Sequence, residues 1–328
     1  MKKAFITGAT GFLGGHLASR LVNEGYEVTC MVRKSSNLQW LEDLPLNYVY
    51  GDISKITFEA ADALKDAELV FHLAGIVHPI RNSDFYRING EAAGEFAALC
   101  AKNCKNLRRF VLVSSLAAVG SGEGSKAASD LQEPAPMSEY GKSKRLGEIK
   151  VLEHSSKIPV SIVRPSVIFG PRDKDTLQFF KMAKFGIVPI IGGGGQRIAM
   201  VYIDNVIDAL MLAALKEEAI GKAFLLGDGE NLELQTAMAY IQQVVGKKGV
   251  PIPVPGFALL GAGLALDILS KIIGKPFVLG YDKAKEALHK NWAVDDSLAR
   301  ELLGYKCRIG VQRGIELAYN WYKAKNWL

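Results

Sequence analysis

Cysteine is scarce in this chain, and its few copies are poorly spaced for covalent or metal chemistry. The 328 residues contain four cysteines, Cys30, Cys100, Cys104 and Cys307, and no C-x-x-C pair. A disulfide framework is typical of small secreted domains, and a zinc site requires clustered ligands. We therefore expect free or buried thiols, no metal site and a reducing, cytoplasmic location.

Strong charge and an export signal are also missing. The net charge is only +6, and no long run of cations is interleaved with aromatic residues, so we expect no nucleic-acid binding. The N-terminus leads into a predicted strand, not into an apolar stretch with a cleavage site, so we expect no export. With 49% apolar and 23% charged residues, the composition is that of a soluble globular protein, and the length allows two domains.

The chain has no uninterrupted apolar run of the length that a membrane-spanning helix needs. Its most apolar segment, residues 251–274, is interrupted by Asp267 and Lys271, whereas a spanning helix needs ~20 apolar residues. We therefore expect no membrane span. Two interpretations remain open: a buried helix that covers the substrate site, or a peripheral segment that docks on a membrane surface to meet a lipid-like substrate.

A glycine-rich turn near the N-terminus has the context of a phosphate-binding loop. Residues 3–7 are apolar and β-branched, which predicts a buried strand, and residues 13–23 have the apolar spacing of a helix. Between them, Gly8 permits a tight turn, Gly11 lets the backbone approach a pyrophosphate, and Gly14 lets the helix pack close to the strand. The helix N-terminus offers free N–H groups to the phosphates. The turn predicts a dinucleotide site, with a purely structural turn as the alternative.

The second predicted strand ends in cations and hydroxyls. Residues 27–32 lead directly into Arg33-Lys34-Ser35-Ser36, with no carboxylate at the strand end. In a dinucleotide-binding fold, an acidic residue here receives the adenosine ribose hydroxyls, whereas an arginine suits a 2′-phosphate. The sequence therefore favours NADP(H), with NAD as the alternative cofactor. Alternatively, residues 33–36 form a solvated basic loop that has no role in cofactor binding.

Short apolar strands alternate with helix-like segments over the first half of the chain. The predicted strands cover residues 3–7, 27–32, 47–50, 69–73, 110–113 and 159–163. This alternation predicts an α/β fold with a doubly wound parallel sheet, in which ligands bind beyond the carboxyl ends of the strands. We expect a dinucleotide-binding domain over residues 1–165 plus a strand near 220–228. A smaller, mostly helical substrate domain would combine residues 166–200 and 230–328.

A phenol and an ammonium lie one helical turn apart in the middle of the chain. Tyr140 and Lys144 share one face of a helix predicted over residues 137–153. A free phenol has a pKa near ~10, and a nearby ammonium lowers it toward the range that acid–base catalysis requires. Ser115 ends the fifth strand, where its hydroxyl would orient a substrate oxygen toward Tyr140. On its own, such a Tyr–Lys pair more often marks an exposed face without chemistry.

The order of the motifs carries a family resemblance. They are TGATGFLGG at residues 7–15, GDI at 51–53, HLAG at 72–75, VLVSS at 111–115, YGKSK at 140–144 and RPSVIFGPRD at 164–173. In this combination the chain resembles the extended short-chain dehydrogenase/reductase family over nearly its whole length. The RPSVIFGP segment, the basic end of the second strand and the run over residues 292–305 resemble the hydroxysteroid-dehydrogenase-like and dihydroflavonol-reductase-like branches.

This resemblance implies a set of site residues. It implies a catalytic set of Ser115, Tyr140 and Lys144, adenine contacts at Asp52 and Ile53, and a hydrogen bond from Lys144 to the nicotinamide ribose. With the glycine turn and the end of the second strand, the expected cofactor-binding residues are Gly8, Thr10, Gly11, Phe12, Leu13, Gly14, Arg33, Lys34, Asp52, Ile53, Leu73, Ala74, Gly75, Asn89, Tyr140, Lys144, Pro165 and Val167.

One departure from the family pattern bears on the reaction. Nucleotide-sugar epimerases of this family usually carry an asparagine that contacts the sugar nucleotide diphosphate, and Val167 stands at that position here. The resemblance therefore implies an NAD(P)-dependent oxidoreductase that interconverts a carbonyl and an alcohol on a fairly apolar small molecule. The alternatives are a nucleotide-sugar epimerase or dehydratase with tightly bound NAD, and a non-catalytic cofactor-binding protein.

The substrate side and the assembly are less well marked. Candidate substrate residues are His78, Leu116, Arg172 and Arg197. A loop histidine such as His78 is more often solvated, and both arginines are equally typical of a solvated surface. Relatives often pair helices into a four-helix bundle, so the resemblance also implies a homodimer.

Overall fold

Strands and helices alternate along the whole chain. The computed structural model describes residues 2–55 and 58–328. Its strands are β1 (Lys3–Thr7), β2 (Glu27–Val32), β3 (Asn47–Tyr50), β4 (Leu69–His72), β5 (Arg109–Val113), β6 (Val160–Pro165), β7 (Val167–Phe169), β8 (Ile187–Ile191), β9 (Arg197–Tyr202), β10 (Ala223–Leu226), β11 (Asn231–Glu233), β12 (Val250–Val254) and β13 (Asn291–Trp292). Its α-helices are α1 (Phe12–Asn23), α2 (Phe58–Ala63), α3 (Asn82–Phe85), α4 (Ala92–Asn103), α5 (Glu139–Leu152), α6 (Leu177–Lys184), α7 (Ile203–Leu215), α8 (Leu234–Val245), α9 (Gly256–Ile273), α10 (Tyr281–Leu288) and α11 (Val311–Ala324).

A parallel sheet forms the centre of the fold. Its seven strands lie in the order β10-β6-β5-β4-β1-β2-β3, and each neighbouring pair is parallel. Every residue of β4, β5 and β6 is buried, which explains why these strands are continuous apolar runs without alternation. The predicted doubly wound α/β fold is confirmed.

Helices cover both faces of this sheet. On one face, α1 and α7 bury Leu17 and Leu210 in a cluster with the strands. On the other, α4 and α5 bury Phe96 and Val151 in a second cluster. Full burial of such a side chain contributes about 1.5–3 kcal/mol, so these two clusters hold the layers together. The carboxyl ends of the strands remain open at one edge of the sheet, where ligands bind in folds of this type.

The remainder of the chain packs beyond that edge and contains two small sheets besides its helices. Strand β9 pairs with β7, β11 and β13, and β8 pairs with β12. Helices α6, α8 and α11 enclose a third buried cluster that includes Phe180, Met238 and Tyr322. Strands β11, β12 and β13 are absent from the sequence-based prediction. They are short, and β12 contains Pro251 and Pro253, which is possible because only one of its edges is paired.

Helix α9 differs most from expectation. It covers most of the apolar segment over residues 251–274, yet only Gly263 and Ser270 of its 18 residues are buried. The interpretation as a buried helix is therefore wrong, because most of its apolar side chains face outward. By length and composition α9 is also sufficient to cross a membrane, with a mean hydropathy of 1.7.

Candidate active site

The glycine turn between β1 and α1 is shaped by close backbone contacts. Gly8 has a φ of +77°, and a Cβ atom there would lie 2.7 Å from the backbone of Leu73 and Ala74. A Cβ atom on Gly14 would lie 2.2 Å from the Gly8 carbonyl oxygen, so only glycine allows this helix–strand approach. Gly11 is exposed, and the one group that an added Cβ would meet is the Gly8 carbonyl, at 3.3 Å. Its outer side is therefore open to a ligand.

The N-terminus of α1 fits a dinucleotide diphosphate. Within the described residues, no side chain caps this helix, whose first turn begins after Gly11. Its N–H groups and its dipole are consequently available to an anion. The other residues predicted in this turn, Thr10, Phe12 and Leu13, are half-buried. The side chains of Phe12 and Leu13 pack against buried apolar clusters.

The loop that follows β4 runs from this turn toward the catalytic helix. Asn89, in the π-helical segment Tyr86–Glu91, accepts a hydrogen bond from the Ile76 amide (2.8 Å) and donates one to the Ile76 carbonyl (3.0 Å). A Cβ atom on Gly75 would lie 2.9 Å from Asn89 Oδ1 and 3.9 Å from Lys144 Nζ. Asn89 thus holds this loop beside Lys144, which places the predicted cofactor residue Gly75 next to the catalytic set.

The three predicted catalytic side chains come together beside this loop. The Ser138 hydroxyl caps α5 by accepting a hydrogen bond from the Gly141 amide (3.0 Å), and α5 carries both Tyr140 and Lys144. Ser115, which follows β5, places its hydroxyl close enough to the Tyr140 phenol to lower the pKa of that phenol. The Lys144 ammonium donates to the carbonyl of Val113, the last residue of β5, over 2.6 Å. One strand end and one helix therefore assemble the whole set.

The protonation behaviour of this set differs from the expected one. Burial raises the pKa of the Tyr140 phenol, whereas the neighbouring Ser115 hydroxyl lowers it. Burial also lowers the pKa of Lys144, to about 8. The expectation that Lys144 lowers the phenol pKa is therefore not met, because the ammonium is bound to the Val113 carbonyl and both groups are removed from water.

The two adjacent serines face different surroundings. Ser114 is buried, and its hydroxyl has no hydrogen-bond partner among the described residues. Nearby, Glu148 binds Arg164 through two contacts of 2.8 Å. Burial opposes ionisation of Glu148, but its hydrogen bonds with Arg164 and the Arg164 charge keep its pKa below the usual value. Ser114 therefore lies among buried groups, whereas Ser115 lies near Tyr140.

The cations after β2 lie near a carboxylate in the segment that follows β3. Arg33 and Lys34 are exposed, and the Arg33 amide donates to the Ser36 hydroxyl (3.2 Å). Burial raises the pKa of Asp52, but hydrogen bonds from Ser54 and the charge of Arg33 outweigh it, so that this pKa is lowered. The adenosine end of the predicted site therefore combines an ionised Asp52 with an exposed guanidinium.

Three further predicted residues are placed by neighbouring elements. Ile53 follows Asp52 and is buried. Pro165 ends β6 and pairs with Leu226 of β10, so it too is buried. Val167 begins β7 and is 45% exposed, at the position where an epimerase would present a polar amide.

The predicted substrate residues have other partners in this structure. His78 Nε2 lies 3.3 Å from Asp175 Oδ2. This contact joins the loop after β4 to the segment before α6. Leu116 is 4% exposed and packs inside a buried cluster with Val294, so it does not present its side chain to an open pocket.

The two arginines predicted for the substrate are also engaged. The Arg172 guanidinium stacks 4.7 Å from the Trp40 ring, and a Cβ atom on Gly15 of α1 would lie 3.3 Å from it. Arg197, at the start of β9, donates to the Ser125 carbonyl over 2.8 Å. Each arginine thus contacts a neighbouring segment, and both side chains are half-buried.

Sequence reasoning missed the contribution of α10. The carboxylate of Asp282 accepts hydrogen bonds from the amides of Glu139 (2.9 Å) and Tyr140 (3.2 Å), which fixes the first turn of α5. The charge of Lys283 lowers the Tyr140 pKa and that of Glu286 raises it, so both side chains act on the phenol. No motif marks these residues, since α10 follows Tyr140 by about 140 positions and has no recognisable spacing to it.

The chain belongs to the NAD dependent epimerase/dehydratase family, whose family description matches residues 4–227. The resemblance to extended short-chain dehydrogenases/reductases is thereby confirmed, and this is a family of NAD-dependent enzymes. A ceramide reductase of Caulobacter vibrioides (strain NA1000 / CB15N) is 33% identical, with 98% of this chain and 95% of the relative covered. A 2-alkyl-3-oxoalkanoate reductase of Shewanella oneidensis is 25% identical, with 95% and 84% covered.

Solved structures share the fold. A UDP-glucuronic acid 4-epimerase from Bacillus cereus, solved in complex with NAD, has a TM-score of 0.78 and 24% identity, with 98% of this chain and 99% of that chain covered. At this identity the similarity concerns the fold alone. The glycine turn and the uncapped α1 show that the residues of this chain fit the diphosphate of such a dinucleotide.

Proposed function

We propose that the protein is an NADP(H)-dependent oxidoreductase that interconverts a ketone and an alcohol on an apolar, long-chain substrate. The observation that carries this proposal is the convergence of Ser115, Tyr140 and Lys144 at the end of β5, beside the loop that leads from the glycine turn. Similarity to a ceramide reductase over nearly the whole chain supports the apolar substrate.

The roles follow from the geometry of the chain's own groups. When bound, the dinucleotide supplies or accepts the hydride at the carbonyl carbon; Gly8, Gly11 and Lys144 would hold it. The Ser115 hydroxyl binds the substrate oxygen, and Tyr140 donates its phenolic proton to that oxygen as the alcohol forms. Lys144 is protonated at neutral pH, since its pKa is about 8, and its ammonium would hold the nicotinamide ribose.

The preference for NADP(H) rests on the end of β2. Arg33 and Lys34 are exposed there, no carboxylate follows the strand, and Asp52 lies on the neighbouring segment. A guanidinium binds a phosphate through charge-assisted, often bidentate hydrogen bonds. The guanidinium of Arg33 would therefore bind the adenosine 2′-phosphate of NADP(H), whereas NAD has an uncharged ribose hydroxyl at that position.

Oxidation of NADPH or NADH, followed by absorbance, tests the reaction against a long-chain ketone and a β-keto amide. Chromatography of UDP-glucose after incubation tests for epimerisation, which leaves the cofactor absorbance unchanged. We expect turnover of the apolar ketones with NADPH. The Tyr140→Phe variant should lose at least ~100-fold in kcat while it still binds cofactor, because general acid catalysis contributes about that much or more. Tyr240→Phe, on α8, is the matched control and should keep wild-type turnover.

Two outcomes would replace the proposal. Turnover of UDP-glucose with cofactor retained through purification would indicate the competing nucleotide-sugar epimerase, against which the apolar Val167 counts. Cofactor binding without turnover of any carbonyl would indicate a non-catalytic protein. Near-normal kcat in Tyr140→Phe would refute the assigned proton donor.

A further inference from the structure

One side of α9 is a continuous apolar surface. We call it the α9 face and define it by its large exposed side chains, Phe257, Leu264, Ile268, Leu269, Ile272 and Ile273. Phe257 is 81% exposed and Ile272 is 76% exposed, which is unusual for residues of this size. Exposed apolar surface that is contiguous in this way marks an interaction site.

The opposite side of α9 is held by α10. A Cβ atom on Gly263 would lie 2.8 Å from the Gly280 backbone, so the two elements touch through glycine. The Asp267 carboxylate accepts a hydrogen bond from the Tyr281 amide over 3.0 Å. Asp267 therefore points toward α10, and Lys271 is the one other charged residue of α9. These contacts fix α9 along the surface of the domain.

The β8–β12 ribbon precedes α9 and continues the apolar surface. Phe185 is 77% exposed and Val250 is 64% exposed, and the Val250 amide donates to the Gly186 carbonyl over 2.9 Å, which keeps the two segments together. Strand β12 leads through Pro255 directly into α9. Because β12 runs directly into α9, the exposed apolar residues of β12 and those of the α9 face follow one another along the chain.

Cations border this stretch. Residues 181–191 and 247–278 contain one carboxylate, Asp267, which is bound to α10. The same two segments contain six exposed lysines: Lys181, Lys184, Lys247, Lys248, Lys271 and Lys275. The sequence segment over 251–274 by itself has no cationic face. The fold adds charge beside the ribbon, because a Cβ atom on Gly186 would lie 3.2 Å from the side chain of Lys247, whose ammonium donates to the Lys184 carbonyl over 3.1 Å. Apolar side chains bordered by cations are complementary to an anionic lipid surface.

The α9 face is connected to the catalytic set through a single helix. Asp267 of α9 binds the first residue of α10, and the next residue, Asp282, accepts the hydrogen bond from the Tyr140 amide. Whatever covers the α9 face therefore lies one helix away from the proton donor.

We propose that the α9 face and the β8–β12 ribbon dock on the surface of an anionic phospholipid bilayer, with α9 lying in the plane of the interface. A second copy of the chain fits less well, because a symmetric contact would bring the lysines of one copy against those of the other. A spanning orientation would require α9 to leave α10 and would expose Asp267 and Ser270 to hydrocarbon. The proposal gives a reason for the apolar substrate of the proposed function, but its test does not require that function.

Flotation of the purified full chain with vesicles tests the docking. We expect binding to vesicles of phosphatidylcholine mixed with phosphatidylglycerol, weaker binding to phosphatidylcholine alone, and loss of the difference in high salt. The double variant Phe257→Ser/Ile272→Ser should bind at least ~10-fold less, since apolar insertion provides much of the affinity. Leu131→Ser/Leu215→Ser removes two exposed apolar side chains elsewhere and should bind like the wild type. Lys247→Gln/Lys248→Gln should reduce binding to the anionic vesicles alone.

The other outcomes overturn the proposal. They are no vesicle binding by the wild type, equal binding by the Phe257→Ser/Ile272→Ser variant, resistance of vesicle-bound protein to alkaline carbonate (which indicates a span), and a vesicle-free dimer that dissociates in that variant. A separate assay of a water-soluble ketone without vesicles tests the proposed function independently of vesicle docking. A protein that docks but reduces no ketone would refute the function and leave the docking in place.

Discussion

The backbone amide of Tyr140 donates a hydrogen bond to the carboxylate of Asp282, with 3.2 Å between the nitrogen and Oδ2. Through this contact α10 sets the first turn of the helix that carries the proposed proton donor. Asp282 touches neither substrate nor cofactor in the proposed reaction, so we assign it a positioning role. Its burial in the interface, which raises its pKa, makes it sensitive to substitution.

We expect Asp282→Ala to lower kcat by about tenfold to a hundredfold, because a small displacement of a reacting group has effects of this size. The KM for the cofactor should stay near the wild-type value, since the glycine turn is untouched. Steady-state kinetics with varied cofactor would show the split, and Asp282→Asn, which keeps one acceptor oxygen, should recover part of kcat. Asp66→Ala, which removes a surface carboxylate paired with Lys3, is the control. Equal losses in kcat and in cofactor affinity would contradict a positioning role.

The buried Lys144 predicts a pH dependence of stability. Burial lowers its pKa to about 8, whereas an unfolded lysine titrates near ~10.4. Between these values the unfolded chain binds more protons than the folded protein, so the free energy of unfolding should rise with pH, by at most about 3 kcal/mol. Urea unfolding from neutral to alkaline pH measures this slope.

The lysine contribution is the difference between the wild type and Lys144→Met, which should lack the rise. Lys142→Met removes an exposed lysine from the same helix and should retain it. A wild-type slope in the Lys144→Met variant would show that other groups cause it.

Arg164 is predicted to be essential for stability. Its guanidinium binds Glu148 through two contacts of 2.8 Å and Asp130 at 3.1 Å, and all three side chains are buried. Burial raises the pKa of Asp130 to about 6, which shows how little water reaches it. Arg164→Met would leave the buried Asp130 without a cation and Glu148 with Arg145 as its remaining one, at a cost of about 3–5 kcal/mol in the free energy of unfolding.

Arg145 offers a matched control for that variant. It binds the same Glu148 at 2.9 Å, but its side chain is 30% exposed. Arg145→Met should cost less than Arg164→Met, about 1 kcal/mol, because the Arg145 side chain is partly solvated and Glu148 keeps both of its contacts with Arg164. Urea unfolding of both variants at neutral pH makes the comparison, and equal costs would mean that the buried pair is not the source of the stability.

Arg33 should determine the choice between the two dinucleotides. Loss of its charged hydrogen bonds to a 2′-phosphate should raise the NADPH dissociation constant of Arg33→Ala about tenfold to a hundredfold. Affinity for NADH should not change, because the ribose hydroxyls do not need the guanidinium. Arg108→Ala, an exposed arginine near Glu68, is the control. Fluorescence titration of the wild type and both variants gives all six dissociation constants. Unchanged NADPH binding in Arg33→Ala would remove the basis for the NADP(H) preference.

The parts of the site that the sequence predicted are local in the chain. The glycine turn could be recognised because Gly8, Gly11 and Gly14 stand between one strand and one helix. The Tyr140–Lys144 pair could be recognised because a helix places residues four apart on one face. Asp282 could not be found in this way, since its hydrogen bond to α5 joins residues that are distant in sequence.

Helix α9 shows the same limit for surfaces. Its apolar composition was evident, but composition does not distinguish a helix that is buried by its neighbours from one that is left uncovered. The lysines of α6 and of the turn after α8 are separated from α9 in sequence, so no local sequence pattern associates their charge with this helix.

The sequence by itself determined the doubly wound sheet, the glycine turn and the family, because periodicity and turn chemistry act over a few residues at a time. Tertiary structure alone decided which way Lys144 directs its ammonium, what holds Tyr140 in place and which side of α9 stays exposed. Those features depend on burial and on contacts between distant segments, and burial is a property of the packed molecule rather than of any stretch of its chain.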